Sequence, residues 1–208
     1  MKIVLTRPEG RNEELAARLR ALGHEVECAP LIAIEPLGDE PIDVSGYDWV
    51  IVTSVAGARE LRRRAQGRAQ RVAAIGRATA AAFGGADLVP KVSTQEGLLA
   101  EMPRPAGRVL FAGAEGARRL LVDELGADFV PLYRTRELQP AAAFDGDLVI
   151  LVSPSAARAF AALRKAIPAV SIGPETSAAA AAAGVQVVAQ AETHDLDGLL
   201  AAVAAATR

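Results

Sequence analysis

The sequence predicts an α/β fold built from two similar domains, each a parallel sheet flanked by helices. Two observations lead to this prediction. Apolar runs of strand length alternate along the chain with segments of helical composition, which is typical of parallel strands covered by helices. The chain also repeats itself, because two kinds of α/β unit each occur twice. We therefore expect two domains of the same architecture.

Six apolar segments rich in Val and Ile predict the clearest strands. They are KIVLT (2–6), WVIVTS (49–54), VAAIG (72–76), RVLFAG (108–113), LVILVS (148–153) and AVSIG (169–173). Short apolar runs of this kind, separated by segments of helical length, are expected of parallel sheets covered by helices.

The repeat consists of a short unit and a long unit. KIVLTRPEG (2–10) resembles RVLFAGAEG (108–116), and DWVIVTSVAGAREL (48–61) matches DLVILVSPSAARAF (147–160), with an alanine-rich helix after each long copy. The order is therefore short, long, short, long. Two pairings remain open, because each domain could be a contiguous half, or the first short unit could join the last long unit. Both assemblies would bury the same faces.

Composition limits the classes of function. The chain has 208 residues, 51% hydrophobic and 23% charged, which suits a soluble globular protein with a real core. The net charge of -2 and the lack of a basic run beyond RELRRR (59–64) argue against a nucleic-acid partner. No segment resembles a signal peptide or a membrane span, so we expect a cytoplasmic protein without a membrane partner.

Cysteine and histidine are too few for a disulfide or a metal centre. Cys28 is the single cysteine, and His24 and His194 are the two histidines. One cysteine cannot form an internal disulfide, and these three residues have no metal-ligand spacing. We therefore expect no metal ion.

Glycine and hydroxyl residues follow several predicted strands. Ligands of open parallel sheets gather beyond the carboxyl ends of the strands, where Gly76 and Gly173 would let backbone N–H groups approach a carboxylate or phosphate. Hydroxyl side chains are predicted in the first turn of the helices that follow: Ser54, Thr79, Ser153 and Thr176. The alternative is that these residues are ordinary helix caps.

Well-known catalytic motifs are missing from the sequence. FAGAEGARRLL (111–121) comes nearest to a dinucleotide fingerprint, but its glycine spacing is wrong and it lacks the lysine of a phosphate loop. No Ser/His/Asp set is evident either. An oxidoreductase domain is therefore not predicted, and an enzyme of this sequence would act by holding a reactive substrate in shape.

Six segments, taken in order over essentially the whole chain, resemble the uroporphyrinogen-III synthase family. They are VLTRPEG (4–10), YDWVIVTS (47–54), VAAIGRATAAA (72–82), VPLYRT (130–135), LVILVSPSAARAF (148–160) and SIGPETSAAAAAAG (171–184). The resemblance implies cyclisation of the linear tetrapyrrole hydroxymethylbilane to uroporphyrinogen III, with loss of water and inversion of ring D. This reaction belongs to heme, siroheme and cobalamin biosynthesis and uses no cofactor.

The resemblance also implies an architecture. Each domain would be flavodoxin-like, with residues 1–34 and 138–208 in a discontinuous domain one, residues 38–132 in domain two, and strand-like linkers at about 33–37 and 133–140. The active site of the family is the cleft between the domains. The resemblance further implies a monomer and transfer of the substrate from hydroxymethylbilane synthase.

Carried over position by position, the family's motifs assign Tyr133 a part in catalysis. The residues implied to bind substrate are Arg7, Thr53, Ser54, Gly76, Thr79, Ser153, Ser155, Gly173 and Thr176. The repeat supports Tyr133 independently, because this position aligns with the apolar Ile32 in the other short unit. A purely structural tyrosine and a surface salt bridge of Arg7 are the alternatives for single residues. For the whole protein, the alternative is a non-catalytic two-lobed module that binds a small anion.

Overall fold

The computed structural model describes residues 1–207, which form two compact units. Unit 1 contains Met1–Ala33 and the chain from Arg136 onward, and unit 2 is Ile34–Thr135. Unit 1 therefore joins the first short repeat to the last long repeat, and unit 2 holds the two repeats between them. The predicted α/β class is confirmed, because both units contain parallel strands with helices packed against them.

The strands and helices alternate along the chain. The strands are β1 (Lys2–Leu5), β2 (Glu25–Cys28), β3 (Ile32–Pro36), β4 (Ile42–Asp43), β5 (Trp49–Val52), β6 (Ala65–Gln66), β7 (Arg71–Ala74), β8 (Val109–Ala114), β9 (Asp128–Glu137), β10 (Leu148–Leu151), β11 (Ala169–Ser171) and β12 (Val187–Gln190). The helices are α1 (Glu13–Ala21), α2 (Val55–Arg64), α3 (Arg77–Phe83), α4 (Gln95–Glu101), α5 (Leu120–Leu125), α6 (Pro154–Ala162), α7 (Pro174–Ala182) and α8 (Leu196–Ala206).

The sheet of unit 1 is a parallel five-stranded sheet with the strand order β12-β11-β10-β1-β2. Numbered within the unit, the order is 2-1-3-4-5 from β2 to β12, which is the flavodoxin-like order. This order places β1 and β10 side by side in the middle of the sheet. Their following loops therefore leave the same edge from neighbouring positions.

Helices cover both faces of this sheet because side chains alternate along each strand. On one face, Val4 lies in a buried cluster with Val149 and with Phe160 of α6. On the other face, Ile3 lies in a cluster with Leu15 of α1. Each large apolar side chain buried in this way stabilises the fold by about 1.5–3 kcal/mol.

The main sheet of unit 2 has the order β3-β9-β8-β5-β7, and β4 pairs with β6 separately. The pairs β9-β8, β8-β5 and β5-β7 are parallel. Their order repeats that of β2-β1-β10-β11 in unit 1, so the two units share a core arrangement although the chain enters them at different points. A parallel bridge from Ala73 to Leu88 occupies the place of a fifth strand.

Unit 2 also buries helices on both faces of its sheet. Val50 packs in a cluster with Leu61 of α2, while the neighbouring Ile51 packs with Leu98 of α4 and Leu121 of α5. The six predicted strands are all present, and each ends one or two residues early or extends by one. The described helices include none with the length and apolar character that a membrane crossing requires.

Candidate functional site

In unit 1, the predicted residues lie where three neighbouring strands end. Arg7, Ser153 and Gly173 each lie two residues beyond the last residue of β1, β10 and β11. Because these strands are parallel and adjacent, their carboxyl ends form one edge of the sheet. The structure therefore brings Arg7, the serine loop and the second glycine-threonine loop to the same edge.

Unit 2 presents a second set in the same way. Thr53 and Ser54 follow β5, and Gly76 follows the neighbouring β7. Tyr133 lies in the middle of β9, where it pairs with Ala114, the last residue of β8. All three strands run in one direction in this sheet. The second set of predicted residues thus shares the carboxyl edge of unit 2.

Tyr133 and Ser54 are joined by a hydrogen bond. The phenolic oxygen lies 2.9 Å from Oγ of Ser54, and either hydroxyl can be the donor. Ser54 Oγ also accepts the backbone N–H of Gly57 at 2.9 Å, which makes Ser54 the N-cap of α2. The tyrosine hydroxyl is thereby connected, through the serine, to the start of a helix.

A register shift in β9 explains how the ring of Tyr133 reaches this position. Neighbouring side chains of a regular strand point to opposite faces, yet Leu132 and Tyr133 both belong to the buried cluster on the α2 face. The pairing with β8 shifts between Gly113 and Ala114, where Ala114 pairs with Tyr133. Such an irregularity redirects a side chain, and here it leaves Tyr133 only 7% exposed.

Gly57 lies close to the capping hydroxyl of Ser54 and in van der Waals range of the tyrosine ring. A Cβ atom at this position would lie 3.1 Å from Ser54 Oγ and 3.6 Å from Cε1 of Tyr133. The glycine lies inside α2, where it costs helix stability relative to alanine. The close approach of the serine oxygen gives this glycine a packing reason, and sequence reasoning did not single it out.

The serine residues lie at N-cap positions, which corrects their predicted place in the first helical turn. Ser54 caps α2, and Ser153 caps α6 by accepting the N–H of Ala156 at 3.1 Å. Both serines have an extended backbone conformation, which is typical of the N-cap residue immediately before a helix. Ser155, in the first turn of α6, accepts a bond from Arg158 at 3.2 Å.

The two glycine-threonine loops are built differently from the serine loops. Gly76 and Gly173 occupy the N-cap positions of α3 and α7, and neither helix has a side-chain cap bond. Thr79 and Thr176 are the third residues of these helices and are buried, at 5% and 3% exposure. In α3 and α7, therefore, no N-cap side chain bonds a backbone N–H group of the first turn. In α2 and α6, the N-cap serine accepts one of these N–H groups.

Arg7 lies in the loop after β1 and is half-buried. Its carbonyl oxygen accepts a hydrogen bond from Nδ2 of Asn12 at 3.2 Å, which ties the loop to the start of α1. Asn12 itself is buried. The loop that carries Arg7 is thus connected to the N-cap residue of α1.

Near the loop of Gly76, one carboxylate is strongly perturbed. Glu96 in the first turn of α4 accepts two hydrogen bonds from the guanidinium of Arg118, at 2.7 and 3.2 Å. These bonds lower the pKa of Glu96 to about 2. Its charge is therefore committed to Arg118. Among residues 1–207, no group of three His, Cys, Asp or Glu side chains is arranged to hold a metal ion.

Two further polar residues lie at the glycine-threonine loops and were missed by sequence reasoning. Ser93 lies over Gly76, where a glycine Cβ would be 3.2 Å from the serine Oγ. His194 lies over Gly173, where a Cβ would collide with Nε2 of the imidazole. Each contact joins two loops that are separated in sequence, so it could not be read from either loop alone. The matching segments EGLL (96–99) and DGLL (197–200), which follow Ser93 and His194, were a signal that the two loops are equivalent.

Comparison with known families decides the family. A family model described as uroporphyrinogen-III synthase HemD matches residues 13–201. The chain belongs to the uroporphyrinogen-III synthase family. This confirms the resemblance inferred from the six segments.

Relatives of the uroporphyrinogen-III synthase family differ in how much of their length matches. A uroporphyrinogen-III synthase of Synechococcus elongatus is 28% identical, over 97% of this chain and 93% of that protein. A relative from Methanocaldococcus jannaschii is 28% identical over 151 residues, which are 66% of this chain. That match spans 63% of the archaeal protein, which is less than two thirds of its length.

A solved structure supports the fold of the family. The crystal structure of a mutant uroporphyrinogen III synthase from the extremely thermophilic bacterium Thermus thermophilus has a TM-score of 0.60, with 18% sequence identity. The match covers 100% of this chain and 98% of the Thermus chain. At this identity the likeness shows the common fold.

Proposed function

We propose that the chain is a uroporphyrinogen-III synthase, a lyase that cyclises hydroxymethylbilane to uroporphyrinogen III with loss of water and inversion of ring D. Membership of the family supports the reaction. The observation that carries the chemistry is the 2.9 Å hydrogen bond between Tyr133 and Ser54 at the carboxyl edge of the unit 2 sheet. This bond holds the phenol in a defined orientation, which supports a part of Tyr133 in the reaction.

Tyr133 would assist the first chemical step. Its phenol hydrogen-bonds the departing hydroxyl of the bilane and transfers its proton to that hydroxyl, so the carbon–oxygen bond breaks and water leaves. The pyrrole loses its N–H proton in return, so the net change is the loss of one water molecule. The electron-rich pyrrole supplies the electrons for this departure and becomes an electrophilic azafulvene. An ordinary phenol has a pKa near 10 and is a weak acid, so its contribution is moderate.

Ser54 would orient the phenol for that role. Its Oγ already accepts the N–H of Gly57, so its own hydrogen can be donated to the phenolic oxygen of Tyr133. In this arrangement Tyr133 is the acceptor toward Ser54 and uses its own O–H as the donor in the reaction. Hydrogen bonds in such a chain polarise one another, which strengthens the phenol as a donor.

Ring inversion depends on how the bilane is held. Direct closure of the azafulvene gives the uninverted isomer, whereas attack through a spiro intermediate inverts ring D. We infer that the enzyme selects the second route by fixing the curled bilane. Holding the reacting carbon atoms in one arrangement lowers the activation barrier of the spiro route relative to that of direct closure.

The carboxylates of the substrate would be the groups by which the protein binds it. The bilane carries eight of them, and the starts of α3 and α7 have no N-cap side-chain bond. Helix N-termini favour negative charge and offer backbone N–H donors. We propose that Gly76, Thr79, Gly173 and Thr176 bind carboxylates there. The other proposed substrate-binding residues are Arg7, Thr53, Ser54, Ser153 and Ser155.

The remaining predictions are part of the same proposal. Residues 1–34 with 138–208 and residues 38–132 would form the two domains, joined by linkers at about 33–37 and 133–140. The protein would act in the cytoplasm as a monomer that receives its substrate from hydroxymethylbilane synthase.

The test of the function is the isomer of the product. Purified protein is supplied with fresh hydroxymethylbilane, and the products are oxidised to porphyrins and separated by isomer. Type III product is expected, since uncatalysed closure yields type I. Exclusively type I product, equal to that of a heat-inactivated control, would reject the proposed function.

A further inference from the structure

The glycines of the two glycine-threonine loops are not required by backbone conformation. Gly173 has φ 173° and ψ 177°, and Gly76 has φ -168° and ψ 168°. Both are extended conformations that any residue adopts. Each glycine instead lies directly against a polar side chain, because Nε2 of His194 fills the place of a Cβ on Gly173, and Oγ of Ser93 lies 3.2 Å from that place on Gly76.

The loops that carry these two neighbours are fixed in the same way. Thr94 accepts the N–H of Gly97 at 3.0 Å and caps α4. Asp195 accepts the N–H of Gly198 at 2.8 Å and caps α8. Ser93 and His194 are thus the residues immediately before two equivalent caps.

A second contact makes each turn tight. Any Cβ on Gly198 would collide with the carbonyl oxygen of Thr193, and one on Gly97 with that of Val92. Thr193 is also bonded through Oγ1 to the carboxylate of Asp195 at 2.8 Å. The main chain therefore holds His194 at the start of α7, where it remains exposed.

Polar groups of three kinds meet at the start of α7. They are the first-turn backbone N–H groups without an N-cap bond, the buried Thr176, and the ring nitrogen of His194. The start of α3 repeats this set with Thr79 and Ser93. All can donate hydrogen bonds to a carboxylate, whose oxygens accept several donors at once.

We propose that His194 and Ser93 are substrate-positioning residues, each donating a hydrogen bond to one carboxylate of the tetrapyrrole at the start of α7 or α3. The proposal rests on the proposed function, because that function supplies a ligand with many carboxylates. It adds one donor to each glycine-threonine loop. The competing explanation is that the two side chains only cap the helices from a neighbouring loop.

Three variants separate these roles for His194. His194→Ala removes the donor, His194→Gln retains an N–H donor on a side chain of similar reach, and His24→Ala removes the other histidine of the chain. His24 precedes β2 and so lies at the amino ends of the parallel strands, whereas Gly173 follows β11 at their carboxyl ends. The KM for hydroxymethylbilane, kcat and Tm are measured for each variant and the wild type.

We expect His194→Ala to raise KM roughly 10-fold with little change in kcat, as for a hydrogen bond to a charged group made equally in ground and transition states. His194→Gln should recover most of the affinity, and His24→Ala should match the wild type. Ser93→Ala should raise KM by roughly 3-fold, as for a neutral donor. A KM of His194→Ala within twofold of the wild type overturns the proposal, and a lowered Tm would then identify a helix cap.

Failure of the enzymatic function would be seen separately, as absence of type III product from the wild type. In that case binding is measured directly with the stable octacarboxylate uroporphyrin III, by its fluorescence. A dissociation constant roughly 10-fold weaker for His194→Ala than for the wild type supports the proposal. Equal binding by the two proteins, or no binding by the wild type, overturns it.

Discussion

At the scale of single residues, the ring and the hydroxyl of Tyr133 make different contacts. Its ring packs in the buried cluster on the α2 face of unit 2, and its hydroxyl bonds to Ser54. Phenylalanine retains the ring and loses the hydroxyl. The packing and the chemistry of this residue can therefore be separated by one substitution.

Tyr133→Phe should fold normally and lose activity. We expect the rate to fall by roughly one to three powers of ten, the range for removal of one catalytic donor. The product that forms should remain mostly type III, because inversion depends on how the substrate is held. Isomer analysis with kcat measurement checks this, and full activity would return Tyr133 to a packing role.

Ser54→Ala should reproduce part of this loss. It removes both the cap of α2 and the hydrogen bond that orients the phenol, so we expect stability to fall by about 1 kcal/mol and kcat to fall roughly 3- to 30-fold. Thr94→Ala is the matched control, since it removes the cap of α4 without touching Tyr133. Equal kcat values for the two variants would contradict the orienting role of Ser54.

The sequence pointed to some residues of the candidate site and missed others, because only some of them carry a signal in the sequence. Tyr133 stood out because its repeat partner is the apolar Ile32, and Ser54 because a serine follows a strand. Ser93, His194 and Gly57 gave no such signal. Their importance comes from contacts between segments that only the folded backbone brings together.

At the scale of elements, α4 and α8 begin with the same turn. Each has a capping side chain, and the third helical residue of each is a glycine pressed against a carbonyl oxygen, Val92 for Gly97 and Thr193 for Gly198. This explains why the EG and DG pairs recur in the two copies of the long repeat. The internal repeat is therefore a repeat of turn geometry as well as of hydrophobic pattern.

Gly198→Ala should destabilise the fold. Its Cβ would collide with a backbone carbonyl that cannot rotate away, so the turn must shift, at a cost of roughly 1–3 kcal/mol. For a chain of this size, we expect Tm to fall by roughly 3–10 °C. Thermal unfolding of the variant measures this.

Gly116→Ala is the control for that substitution. A Cβ on Gly116 would have no atom within 4 Å. Its Tm should therefore stay close to that of the wild type. An unchanged Tm for Gly198→Ala would show that the turn relaxes without cost.

The elements also show which strands a sequence reveals. β5 and β10 are buried over all four residues, so each is a continuous apolar run. β2 and β12 lie at the edges of their sheet and contain exposed positions, so their sequences EVEC and VVAQ give weaker signals. β4 and β6 have two residues each and are too short for any periodicity.

At the scale of the whole molecule, the chain leaves unit 1 after its first short repeat and returns to it after completing unit 2. Hydrophobic periodicity could not predict this order, because both pairings of the repeats bury the same faces. The resemblance to the family supplied it. Family and fold are thus the best predicted features, and the contacts that orient single side chains are the least.

The isomer composition of the product, measured against enzyme concentration, is the decisive test of the proposed uroporphyrinogen-III synthase activity. A fixed amount of fresh hydroxymethylbilane is converted in a series with increasing enzyme, so catalysed and spontaneous closure compete in every sample. The account predicts that the type III fraction rises with enzyme concentration until it dominates. A product that remains type I at every concentration would contradict it.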